Sequence, residues 1–127
     1  MSIFVTNDIF EFSFNCKKIL SNSGQFIGYK VDNLGDVKIV CKYIGRSFNK
    51  MSKVIEDSSI INSATGKPML RTSILCKLIL TNFIKSIILI QDGIEETVNI
   101  NSETSNNMHY ELVKEISKKW LEITGGK

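Results

Sequence analysis

The sequence predicts an α+β fold: an N-terminal antiparallel sheet of about three strands, then about three helices, with a short hairpin near 88–100. Two patterns carry this prediction. Up to Tyr43 apolar and polar residues alternate at a period of two, which puts every second side chain on one face of a strand. From Phe48 onward the apolar residues recur at three-to-four spacing, the signature of a helix with one buried face. The composition agrees: 127 residues with 43% hydrophobic, 23% charged and one proline make an ordinary folded chain. At that length a core forms without disulfides or metals, so a single domain is expected over 1–127, β-rich in 1–45 and mainly helical in 46–127.

The first strand is read from Ile9, Phe10, Glu11, Phe12, Ser13 and Phe14, whose even-numbered aromatics share a face. Asn22-Ser23-Gly24 is turn chemistry, a second β-rich run covers 25–31, and Asp32-Asn33-Leu34-Gly35 makes the next connection. Val37, Ile39, Cys41 and Tyr43 then alternate with Lys38, Val40, Lys42 and Ile44. A helical register competes here, through Val37, Cys41, Ile44, Phe48, Met51 and Ile55. Gly45 decides against one long helix, because glycine inside a helix costs about 1 kcal/mol. Ser47 is a good N-cap, so a strand ends before Gly45 and a helix spans about 47–57.

Residues 62–68, which include the lone proline Pro68, read as a linker. Leu70, Ile74, Leu75, Leu78, Ile79, Phe83, Ile84 and Ile87 follow helical spacing and predict a helix from near Met69 to Ile87. Asp92-Gly93 is a tight-turn signal, followed by a short strand over 94–100 and a polar loop over 101–107. The last helix covers about 109–123, with Val113, Ile116, Trp120 and Ile123 on its apolar face and Glu115-Lys119 and Lys118-Glu122 pairs opposite. Gly125-Gly126 ends it.

Function is constrained mainly by what the residue types do not offer. The formal net charge of +3 is too small to demand a nucleic-acid partner. It is uneven, however: residues 1–55 hold eight Lys/Arg against four acids, and residues 91–127 four against seven. Cys16, Cys41 and Cys76 are odd in number, far apart and set among apolar residues, which predicts reduced, buried thiols. With no signal-peptide pattern at the start, a cytoplasmic location is expected. Arg71, Lys77 and Lys85 interrupt the longest apolar stretch, so no membrane span is expected.

His109 is the sole histidine and has no second ligand at metal-binding spacing, and Gly66-Lys67 lacks the flanking residues of a P-loop. The expectation is therefore no catalytic residues, no metal and no cofactor. Lys38, Lys42, Arg46, Lys50 and Lys53 flank Tyr43 and Phe48, the interleaving of cations and rings that holds phosphates and stacks bases. A small basic nucleic-acid-binding or regulatory protein is thus one alternative.

The second half carries a more particular pattern. Phe83-Ile84-Lys85-Ser86-Ile87-Ile88-Leu89 leads to Asp92-Gly93, then Val98-Asn99-Ile100, Glu103, and a last helix opening Tyr110-Glu111-Leu112-Val113-Lys114-Glu115-Ile116. In that order and spacing it resembles the tail assembly chaperones of long-tailed bacteriophages, which are encoded near the tape measure protein. Ile87 stands where that group often has tryptophan, and Thr97 where it often has proline. The resemblance implies a non-catalytic protein that binds the long hydrophobic tape measure protein, keeps it soluble before the tail tube polymerises, and has tail-tube subunits as further partners. The lining of such a groove would be Leu78, Phe83 and Ile87 on one helix and Val113, Ile116 and Trp120 on the last, unless these faces pack on each other. A permanent structural subunit of a virion or tail is the remaining alternative.

Overall fold

A computed structural model describes residues 8–125 of the chain. The elements run β1 (Phe10–Leu20), β2 (Phe26–Val31), β3 (Val37–Tyr43), α1 (Phe48–Ser58), β4 (Ser59–Ile61), β5 (Pro68–Leu70), α2 (Thr72–Phe83), β6 (Ile84–Gln91), β7 (Ile94–Asn99), α3 (Ser102–Asn106) and α4 (Tyr110–Thr124). Five strands form one antiparallel sheet in the order β2-β1-β3-β6-β7, and β4 and β5 form a separate two-stranded hairpin. The fold is α+β, as the periodicities predict. No described helix is long and apolar enough to cross a membrane.

Register explains the core. Phe14 lies opposite Ile39, which lies opposite Leu89; Phe12 lies opposite Cys41, which lies opposite Ile87. The period of two therefore sends Phe14, Val37, Ile39, Cys41, Tyr43 and Ile87 to one face, where they are buried under α2 and α4. Lys38 and Lys42 alternate with them and are exposed on the other face. From α2 come Cys76, Ile79, Leu80 and Phe83, and from α4 Leu112, Val113, Ile116 and Trp120.

One point ties three elements. The Phe83 and Trp120 rings stack with centroids 4.4 Å apart, and the Trp120 indole N–H donates to the Ile44 carbonyl at 3.1 Å. The Ile44 N–H in turn donates to the Phe83 carbonyl at 2.9 Å. The Arg46 guanidinium sits 5.3 Å from the Trp120 ring and donates to the Leu121 carbonyl and the Thr124 hydroxyl, both at 3.1 Å. It thereby satisfies carbonyl and hydroxyl acceptors in the last turn of α4. Further along, the buried Ser117 hydroxyl donates to the Cys76 carbonyl at 3.0 Å and joins α4 to α2.

The structure corrects the predicted helix over 69–87. Residues 68–70 are a strand, α2 starts at Thr72, and the chain turns extended at Ile84 and continues as β6. The run Ile84, Ile87, Ile88, Ile90 is β-branched, and β3 in the middle of the sheet needs a second hydrogen-bonded neighbour; the ladder from Tyr43–Ile84 to Lys38–Ile90 supplies it. Helical and extended spacings overlap over these few residues, and tertiary pairing chooses. The hairpin expected near 88–100 is β6–β7, with Asp92 and Gly93 both at positive φ in its turn. The expected loop over 101–107 contains α3, stabilised by a capping box between Asn101 and Thr104.

Three outcomes test this account. Trp120→Ala should cost about 3–5 kcal/mol in urea unfolding, since it empties a fully buried site and strands the Ile44 carbonyl. Gly35→Ala should cost about 1–3 kcal/mol, because a Cβ there would run into the Cys16 carbonyl, while Leu34→Ala next to it stays within about 0.5 kcal/mol. Burial pushes the Cys41 thiol from the ordinary value of 9.0 up to about 12, and burial with the nearby Asp36 charge pushes Cys16 to about 11. The folded chain then holds these protons more tightly than the unfolded one. The thiols' contribution to stability should be level below pH 9.0 and decline as pH rises through the window up to about 12, with a shallower decline in Cys41→Ala.

Candidate partner-binding surface

The six side chains expected to line a groove fill one another's space instead. Phe83, Ile87, Val113, Ile116 and Trp120 are buried in one cluster, and Leu78 is partly buried against it. Ile87 is on β6 and not on the helix that carries Leu78 and Phe83, because the chain leaves helical geometry at Ile84. The α2 and α4 faces are closed on the sheet and on each other, so a partner would have to meet other residues.

The five basic positions do not converge either. Lys38 and Lys42 are exposed on the sheet face turned away from the helices, whereas Tyr43 between them and Arg46 is buried on the opposite face. Arg46 is committed to the end of α4. Lys53 forms an i,i+4 pair with Asp57 at 3.2 Å, and Lys50 is exposed. Phe48 lies exposed on α1 with Lys50 and Lys53, whereas Lys38 and Lys42 are on β3 beside the buried Tyr43.

His109 packs edge-on against Phe26 and Tyr29, with centroids 5.0 and 5.7 Å away. Around Tyr29 lie three shallow hollows of about 320, 220 and 130 Å³, walled by β1, β2, β3, β6, β7 and the start of α4. Burial raises the Tyr29 phenol above its ordinary value, with the Cys16 and Glu96 charges adding to it. Among the described residues no group of three or more His, Cys, Asp or Glu side chains is placed to hold a metal ion.

The unusual surface is the β4–β5 arm. It follows α1 without a break and pairs Ser59 with Leu70, Ile60 with Met69 and Ile61 with Pro68. Cross-strand partners share a face, so Ile60 and Met69 make one apolar face and Ile61, Pro68 and Leu70 make the other. All five are exposed, Ile61 at 63%. A hairpin of three-residue strands is marginal alone, and here it is held at both ends. The Arg71 N–H donates to the Ser58 carbonyl at 2.8 Å and its guanidinium to the Asp57 carbonyl at 2.9 Å. At the tip, the Gly66 N–H donates to the Asn62 carbonyl at 2.7 Å, with Gly66 at positive φ, and the Ala64 N–H donates to the Asn62 side chain at 2.9 Å. The arm is therefore preorganised, with bare apolar flanks and a polar tip.

The helix leading into the arm also exposes apolar residues. Val54 and Ser58 are the buried residues of α1, but its apolar arc is wider than that stripe. Phe48 and Ile55, seven residues apart and so about 20° apart around the helix, form a shoulder beside it, with Phe48 84% exposed. The hairpin had a sequence signal: two short apolar runs, Ile60-Ile61 and Pro68-Met69-Leu70, flank a turn-rich segment. Assigning the second run to the start of a helix hides it.

No family model, curated protein or solved structure matches the chain.

Proposed function

We propose that the chain is a non-catalytic binding protein that covers an apolar, helical segment of another protein and keeps it soluble, as the tail assembly chaperones it resembles do for the tape measure protein. The observation that carries this reading is the β4–β5 arm, whose apolar side chains are exposed on both faces while its backbone is fixed by hydrogen bonds. Exposed apolar patches on a folded chain mark interaction sites, and a patch that is already ordered loses little entropy on binding. Ile55, about one turn before the arm, and Phe48, about two turns further back on α1, are exposed apolar residues that a client helix would meet as further anchors. An amphipathic client helix would lay its apolar stripe against these residues, in the cytoplasm of a host cell if the chain is phage-encoded.

The test is a scattering assay with a synthetic amphipathic helix bearing a leucine stripe. The wild-type chain should suppress its aggregation at equimolar ratio. Ile60→Asp/Met69→Asp should abolish the suppression while unfolding within about 0.5 kcal/mol of wild type, because both side chains are exposed. Suppression undiminished in the double variant, or absent in wild type, would remove the arm as the binding element.

A further inference from the structure

The five-stranded sheet is curled. Tyr29 on β2 and Glu96 on β7 belong to its two end strands, yet both wall the same hollow of about 220 Å³. Along β6 and β7 the rungs Ile87–Val98, Leu89–Glu96 and Gln91–Ile94 follow one another, and their side chains share the inner face of the sheet. They floor a trough that runs from the start of α4 to the β6–β7 turn. Tyr29 and Leu89 line both the 220 Å³ hollow and its 130 Å³ neighbour, so the two hollows are halves of that trough.

The halves differ in chemistry. The one next to α4 is walled by Ile87, Leu89, Val98, Met108 and Leu112, with His109 exposed beside them. An apolar cavity of about 150 Å³ takes up benzene, so this half has the size of one ring or one branched aliphatic chain. The half next to the turn holds Lys18, Asp92 and Glu96, all exposed, above an apolar floor of Val37 and Leu89. Lys18 shares this hollow with both acids, yet none of the three forms an ion pair among the described residues. Opposite charges are therefore present in one hollow without neutralising each other by contact. The Tyr29 phenol, kept protonated first by burial, adds a hydrogen-bond donor.

We infer that the trough binds a free α-amino acid with a large apolar side chain. The side chain fills the apolar half, the ammonium meets Glu96 and Asp92, and the carboxylate meets Lys18 and the Tyr29 hydroxyl. A fatty carboxylate would set its charge beside two acids, and an alkylamine would set its charge beside Lys18. A zwitterion satisfies both signs at once. Each half alone is smaller than an ordinary ligand site, and together they reach the lower end of its range, about 300 Å³. The site is independent of the β4–β5 arm, which lies outside this sheet.

Titration of the isotope-labelled full chain with L-leucine, followed by amide chemical shifts, tests it. L-leucine should bind saturably in the millimolar range and shift amides of 87–98 and 108–112. Glycine leaves the apolar half empty, and N-acetyl-L-leucine and L-leucinamide each lack one charge; all three should bind about tenfold or more weakly. Lys18→Gln and Asp92→Asn/Glu96→Gln should each weaken L-leucine by about tenfold, with unfolding unchanged because the replaced side chains are exposed. No saturable shift with L-leucine overturns the proposal, as does N-acetyl-L-leucine or L-leucinamide binding as tightly as L-leucine, or either charge variant binding L-leucine like wild type. The ligand series on wild type alone decides the matter should a variant fail to fold.

Discussion

The backbone of Ile44 holds the two halves of this protein together. Its N–H is bonded to the end of α2 through the Phe83 carbonyl, and its carbonyl to α4 through the Trp120 indole. Both bonds are formed at the point where β3 leaves the sheet, so they fix where the chain turns toward α1. The stacked Phe83 and Trp120 rings exclude water from this junction, and Arg46 covers its outer side. Polar groups shielded in this way are costly to leave unpaired, which makes the junction a specifier of geometry as well as a source of stability.

The interior of the fold is closed. The apolar stripes of α2 and α4 are consumed by the sheet, and Ser117 and Trp120 satisfy their polar atoms within the same layer. Among the apolar residues left exposed are those of the arm between α1 and α2. Its flanks are apolar although they face water, and its backbone is nonetheless ordered by Arg71 and by the hydrogen bonds of the Asn62 turn. An ordered apolar surface is favoured only where a partner covers it, and in a monomer it is a liability.

Much of the fold can be read from local patterns, and the losses have specific causes. Alternation through Phe10–Phe14 and Val37–Tyr43 gave two strands of the sheet because one face is buried and one is wet. Gly45 and Ser47 correctly separated β3 from α1, although the Ser47 side chain makes no capping bond. The 69–87 region failed because periodicity cannot distinguish a short buried strand from a helix end when isoleucines crowd both registers, and the deciding partner, β3, pairs with residues 41 to 52 positions away in sequence. The partner surface failed for a related reason. Apolar spacing shows which residues share a face but not whether the fold closes over it, so Phe83 and Trp120 looked as available as Ile60 and Met69.

Hydrogen–deuterium exchange with and without the amphipathic helix addresses the location of binding most directly. If the arm receives the client, amides of 55–70 gain protection when it is added, while those of α2 and α4, already protected by the core, do not change. Protection that instead changes along 76–83 and 113–120, with the arm unaffected, would mean that the two helices open to form the groove and would contradict the account.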